Sequence, residues 1–201
     1  VAGGRAGEPI SSIELTLLAS AAGHLGVFLR NAALYSDLDA MFLGTLQSMV
    51  AAIDAKDPYT RGHSQRVAIL SRDLAASIGL PEAFVKTAHL SGLVHDIGKI
   101  GVPEAVLCKA GRLTEEEFAA IRQHPQIGFR ILRDIPQIRD LLPGVLCHHE
   151  AWDGHGYPAG IAGEEIPLLA RIVAICDSFD AMSSSRTYRS AMPREKVFEE
   201  L

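Results

Sequence analysis

The chain has 201 residues, 48% of them hydrophobic, which is enough for one sizeable core and too apolar for a disordered segment. Nineteen Lys and Arg against twenty-four Asp and Glu leave a net charge of −5, which excludes the basic surface that nonspecific polynucleotide binding requires. Cys108, Cys147 and Cys176 are odd in number and lack the paired spacing of a disulfide framework or a thiolate zinc site, so reduced thiols in a cytoplasmic protein are expected.

From Ile10 to Ile53 apolar residues recur at near-helical spacing, among them Leu18, Ala21, Leu25, Phe28, Ala32, Tyr35, Phe42, Leu46, Val50 and Ile53. The spacing predicts one long amphipathic helix, or two joined near Ser36. A helix of that length points to a homodimer paired through it, with docking onto the domain's own body the equal alternative. Its most apolar stretch, Leu15 to Leu29, is interrupted by His24 and two glycines and falls short of the roughly 20 apolar residues of a membrane span. Neither a span nor a signal peptide is expected.

Beyond Asp57 the punctuation is helical and no stretch alternates as a strand would. His63 to Ile78 keeps Val67, Leu70, Leu74 and Ile78 on one face and ends at Gly79. A second helix starts at Pro81 and carries Phe84, Ala88 and Gly92 toward His95 and Asp96. Thr114 with Glu117 forms a capping-box pattern for another, which should break before Pro125. Pro167 suits the first turn of a helix bearing Leu169, Ile172, Val173, Cys176 and Asp180. Loops rich in Gly and Pro fall at 98–111 and 153–163, and a last helix opens at Pro193 and stops soon after its start. With no initiating Met, the sequence is expected to be a fragment, and its fold class all-α.

Five of the eight histidines and two aspartates form an ordered string of potential metal ligands: His63, His95 with Asp96, His124, His148 with His149, and Asp177. Each falls on or beside a predicted helix end. A single histidine on an apolar face is more often a hydrogen-bonded core residue, but seven in this order favour a metal centre. Two divalent ions roughly 3.5–4 Å apart can share an aspartate, the arrangement that serves phosphodiester hydrolysis. His95 can bind one ion while Asp96 spans both, and His148 and His149 can supply the second from one short helix. Mixed nitrogen and oxygen donors favour manganese, iron or zinc over magnesium and calcium. Lys99, at the predicted close of the helix carrying Asp96, could reach a bound phosphate, although taken alone it reads as a solvated surface lysine. The loop DGHGYPAG sets glycines around Tyr157 and Pro158, either to lie close to a ligand or to make a tight turn.

Taken together, DPYTRGHSQRV, LVHDIGKIGVPEAVL, LTEEEFAAIRQHPQIG, HHEAWDGHGYPAG and EIPLLARIVAICDSFDAMSSSRTYR resemble the HD-GYP branch of the HD metal-hydrolase superfamily from about Asp57 to Arg194. The resemblance implies an HD-type helical bundle around a metal centre built from the seven residues, preceded by a long signalling helix. It implies hydrolysis of cyclic di-GMP to linear pGpG, with GMP after a second cut, and two divalent ions, iron or manganese. Asp96 and Lys99 are then catalytic, and Lys99, Tyr157, Arg186 and Arg189 contact the substrate, arginine forks being suited to phosphate. The GYP loop would border the substrate site and meet GGDEF-domain proteins.

A looser resemblance makes residues 1–38 the last helix of a GAF sensor domain running into a signalling helix, with 39–201 the phosphodiesterase domain, truncated at its C-terminus. Two positions depart from the family pattern. Ser185 stands where many relatives have aspartate, and Tyr59 where some have a glutamate that holds a third ion, so two ions are expected rather than three. A receptor for cyclic di-GMP or a GGDEF-interaction module without turnover, and a hydrolase of another cyclic dinucleotide, are the rival readings. The complete ligand set argues against the first.

Overall fold

The computed structural model describes residues 9–57, 62–184 and 191–201. The first helix, α1 (Ser12–Lys56), runs for 45 residues without a break. Gly23, Gly26 and Ser36 lie inside it, each costing no more than about 1 kcal/mol in a helix interior. The chain divides into two compact units, 1–45 and 46–201. In the first unit the large apolar residues of α1 from Ile13 to Met41 stay exposed, Phe28 at 67% and Tyr35 at 71%. In the second, Leu46, Val50 and Ile53 are buried, so the last turns of α1 belong to the helical core. By length and composition alone α1 suffices to cross a membrane, with an 18-residue stretch of mean hydropathy 1.4. That differs from the expectation drawn for Leu15 to Leu29, because His24 and the glycines do not interrupt the helix. The core helix of a soluble protein and a signal sequence pass the same test.

The core of the second unit is built by α2 (His63–Ser77), α3 (Glu82–Val94) and α8 (Leu168–Ser183). Leu169, Ile172, Val173 and Cys176 of α8 pack with Val67, Ala75 and Ala88 of α2 and α3. Gly92 permits the close crossing of α2 and α3, since a Cβ there would stand 3.0 Å from the Ala68 Cα and the Val67 carbonyl oxygen. This packing sets the start of α2, the end of α3 and the middle of α8 beside one another, and these are the places of His63, His95 and Asp177.

After α3 the chain tightens into a 3₁₀ turn, Ile97–Gly101. Lys99 therefore sits on this turn and not at the close of the helix that ends beside Asp96. Lys56, the last residue of α1, donates its ammonium to the carbonyls of Ile100 at 2.7 Å, Val102 at 2.5 Å and Lys99 at 3.4 Å, bracing the turn and the residue that caps it. A short α4 (Glu104–Leu107) divides the predicted first loop. The reciprocal capping box of Thr114 and Glu117 opens α5 (Glu115–Ile121), and α6 (His124–Leu132) restarts with Pro125 in its first turn. A second 3₁₀ turn, Pro136–Leu141, leads into α7 (Leu142–Cys147). His148 and His149 follow α7 on the turn beyond it, rather than riding on the helix as predicted. The irregular segment after them is clasped by Glu150, whose buried carboxylate accepts from the backbone N–H groups of Ala159 at 2.7 Å and Gly160 at 3.0 Å. A third 3₁₀ turn, Gly163–Glu165, precedes α8, and α9 (Arg194–Glu200) buries Val197. Cys147 and Cys176 are buried, and all three cysteines are free thiols.

Candidate metal centre

Two groups of side chains converge at these helix ends. The ligand atoms of Asp96, His124, His148 and His149 lie within 4.8 Å of one another, and so do those of His63, His95 and Asp177. Asp96 joins the groups: its Oδ1 stands 3.2 Å from His124 Nε2 and its Oδ2 3.3 Å from His95 Nε2.

The ring orientations suit cation binding. Nδ1 of His95, His124 and His148 donates to the carbonyl three residues earlier, on Gly92, Ile121 and Val145, at 2.8, 2.8 and 2.9 Å. Each bond fixes the tautomer and leaves the Nε2 lone pair pointing inward, as in metal-ligating imidazoles. His95 Nε2 is buried without a hydrogen-bond partner. It lies within 3.3 Å of a carboxylate oxygen, but that contact lacks the geometry of a hydrogen bond. His124 Nε2 and His148 Nε2 face each other at 3.2 Å. With both Nδ1 atoms committed as donors, neutral rings there meet acceptor to acceptor, an arrangement that a cation resolves. The donor set therefore fits divalent ions.

The charges follow from the same packing. Burial pushes His148 well below the usual imidazole range, and the neighbouring His149, His95 and His124 push it further. Burial likewise brings His149 down to about 4, so both rings stay neutral near pH 7. Burial opposes charge on Asp96, but the Lys99 ammonium, 2.7 Å from its Oδ2, and then His95 and His124 hold it well below the ordinary carboxylate range. For Lys99 burial lowers the pKa, and the Asp96 charge outweighs it and raises the ammonium above its usual range. At His63 burial again opposes the charge, while Asp177 and Asp180 carry the ring up to about 9.

Sequence reasoning missed Asp180 and Arg66. Asp180 Oδ2 meets His63 Nδ1 at 2.7 Å, while its Oδ1 and Oδ2 accept from Arg66 Nε at 2.6 Å and Nη2 at 3.0 Å. His63 Nε2 is thereby aimed at Asp177 Oδ1, 2.9 Å away. A signal was available: Asp180 stands three residues after Asp177 and Arg66 three after His63, each on its ligand's helix face. Asp180→Ala is expected to weaken retention of the ion near His63 by about 10- to 100-fold, as loss of a ligand's orienting partner does. A competitive chelator titration measures this, and unchanged affinity would mean that Asp180 does not orient the ligand.

Tyr157 donates its backbone N–H to the His149 carbonyl at 3.0 Å and stacks its ring on the His149 imidazole, with centroids 4.8 Å apart and planes at 27°. The peptide to Pro158 is cis. Burial pushes the phenol pKa up. Arg186, Arg189, Ser185 and Tyr59 lie outside the described residues.

The HD domain family profile matches residues 47–201. The chain is 41% identical over 169 residues to a cyclic di-GMP phosphodiesterase of Thermotoga maritima, an alignment covering 83% of this chain and 46% of that protein. It is 42% identical over 145 residues to the 3'3'-cGAMP-specific phosphodiesterase 3 of Vibrio cholerae, covering 72% and 32% of the two chains. Among solved structures it resembles the L. monocytogenes PgpH HD domain in complex with cyclic-di-AMP, with a TM-score of 0.55, 26% identity, and 76% and 78% of the chains covered. The chain spans less than half the length of these curated relatives.

Proposed function

The chain belongs to the HD domain family, and on that footing we propose that it is a metal-dependent phosphodiesterase that opens cyclic di-GMP to linear pGpG, with GMP following a second cut. The observation that carries this reading is the gathering of seven ligand side chains into two adjacent groups that share Asp96. His63, His95 and Asp177 would hold one ion, and His124, His148 and His149 the other, with Asp96 between them. The mixed donors favour iron or manganese. Two such ions supply activated water and neutralise charge developing on the phosphoryl oxygens. No protein nucleophile is then needed.

The chain's own groups prepare the substrate. Lys99, largely buried, offers an ammonium to a non-bridging phosphate oxygen from its 3₁₀ turn, which Lys56 braces. Asp180 and the carbonyls of Gly92, Ile121 and Val145 orient the imidazoles, and Glu150 holds the Tyr157 loop closed. Arg186 and Arg189 complete the phosphate contacts in this reading. Tyr59 in place of a glutamate leaves the centre with two ions.

Relatives named for cyclic di-GMP support the substrate, and relatives named for 3'3'-cGAMP support a second reading in which the hybrid dinucleotide is hydrolysed. Comparison of kcat/KM for the two compounds on metal-loaded protein decides between them: cyclic di-GMP is expected to be preferred, and a preference for 3'3'-cGAMP would select the other. Within the same reading, residues 1–38 are a sensor-domain tail and 39–201 the cytoplasmic catalytic domain. Two copies pair through the exposed face of α1 that carries Leu25, Phe28 and Tyr35, and the Tyr157 loop meets GGDEF-domain partners.

A further inference from the structure

Arg122 lies two residues before His124, at the C-terminal cap of α5. Its guanidinium stands 4.5 Å from the centroid of the Phe118 ring and 5.4 Å from that of Tyr157. Tyr157 in turn is stacked on His149. Tyr157 thus contacts both His149 and the guanidinium, and the groups leading out from the second ligand cluster run His149, Tyr157, Arg122, Phe118. Aromatic contacts of this kind hold the plane of a guanidinium by its faces and leave its N–H donors free at the edge. Among the described residues no carboxylate pairs with Arg122 and no side chain accepts from its guanidinium. An exposed arginine, held by two aromatic rings and with no carboxylate on it among the described residues, stands one aromatic ring away from a candidate ligand.

A cyclic dinucleotide carries two phosphodiesters, of which only one can lie across the ions in a single turnover. Lys99 sits at Asp96 Oδ2, on the side of the centre that faces His95. Beyond His149, among the described residues, the cation placed against the Tyr157 ring is Arg122. Its planar fork matches two phosphate oxygens. Resting on the phosphodiesterase reading above, we propose that Arg122 is a substrate-binding residue that grips the second, uncleaved phosphate of the cyclic dinucleotide, with Tyr157 and Phe118 as its platform. Tyr157 then serves the site by orienting the guanidinium, its ring being in contact with both His149 and Arg122.

The test is steady-state kinetics of the metal-loaded protein and its Arg122→Ala and Arg122→Lys variants on cyclic di-GMP and on bis(4-nitrophenyl) phosphate, a diester with one phosphate. Arg122→Ala is expected to raise KM for cyclic di-GMP about ten-fold or more with kcat within about two-fold, the mark of lost uniform binding. The effect on the small diester should be at least about ten-fold smaller, with metal content retained, and Arg122→Lys should recover part of the loss. An unchanged KM for cyclic di-GMP would overturn the assignment. So would equal losses on both substrates or lost metal, which would make Arg122 a structural support of His149. A wild-type protein that cleaves the small diester and no cyclic dinucleotide would fail before any substitution is made, and would remove the functional reading together with this subsite.

Discussion

Asp96→Ala is expected to abolish both turnover and tight metal retention. The carboxylate is buried and faces both ligand groups, with one oxygen toward His124 and the other toward His95 and Lys99. Its removal takes a shared anionic donor from both ion sites at once and leaves a largely buried ammonium without its partner. Breaking a buried pair in this way costs about 3 to 5 kcal/mol. Asp96→Asn keeps the shape without the charge, and separates loss of the ions from loss of the fold. Elemental analysis after gel filtration should find both variants depleted, with turnover down by at least about a thousand-fold, equivalent to about 4 kcal/mol of transition-state stabilisation. Metal content and rate equal to the wild type in either variant would remove Asp96 from the centre.

Gly98→Ala should be nearly as damaging, through packing alone. A Cβ on Gly98 would fall on the carbonyl oxygen of His124 and crowd the backbone nitrogen of Gly128, both on α6. Backbone cannot swing aside as a side-chain tip can, so the 3₁₀ turn and α6 must separate. That moves His124 from Asp96 and Lys99 from its place. Overpacking of this severity is expected to cost about 3 kcal/mol, which lowers the melting temperature by about 6 to 12 °C in a chain of this size. Gly26→Ala is the control: nothing lies within 4 Å of its would-be Cβ, and it sits inside α1. It should hold or raise the melting temperature, since alanine is the better helix former. A Gly98→Ala protein with the wild-type melting temperature and metal content would show that the turn and α6 are free to part.

The all-α class and most helix limits could be read from the sequence because their signals are local. The Thr114–Glu117 box and the stop before Pro125 need only neighbours within four residues. Six of the seven candidate ligands carry a local mark, a helix end or a conspicuous His-Asp or His-His pair, whereas Asp177 lies in the middle of α8 and stood out only through the family resemblance. What the sequence left hidden depends on distant partners. Lys56 reads as a surface lysine until the turn 43 to 46 residues later closes over its ammonium. Glu150, beside two histidines, resembles another ligand, yet both its oxygens hold backbone N–H groups nine and ten residues further on. Arg66 and Asp180 are separated by 114 residues and meet only because α2 packs on α8. The 3₁₀ turn bearing Lys99 was hidden for a related reason, since no proline marks the end of α3 and the close approach at Gly98 exists only once α6 is in place. The length of α1 was ambiguous for the opposite reason, because Gly23, Gly26 and Ser36 weaken a helix of 45 residues without deciding whether it breaks.

The most direct test of the account is chromatography of the products formed from cyclic di-GMP by one preparation of the protein, assayed after loading with manganese or ferrous iron, after exhaustive chelation, and after reloading. Elemental analysis should accompany each sample. The account predicts two ions per chain in the loaded protein, linear pGpG as the first product, no turnover after chelation and recovery on reloading. Two bound ions with no linear dinucleotide formed, or equal turnover by the chelated protein, would contradict it.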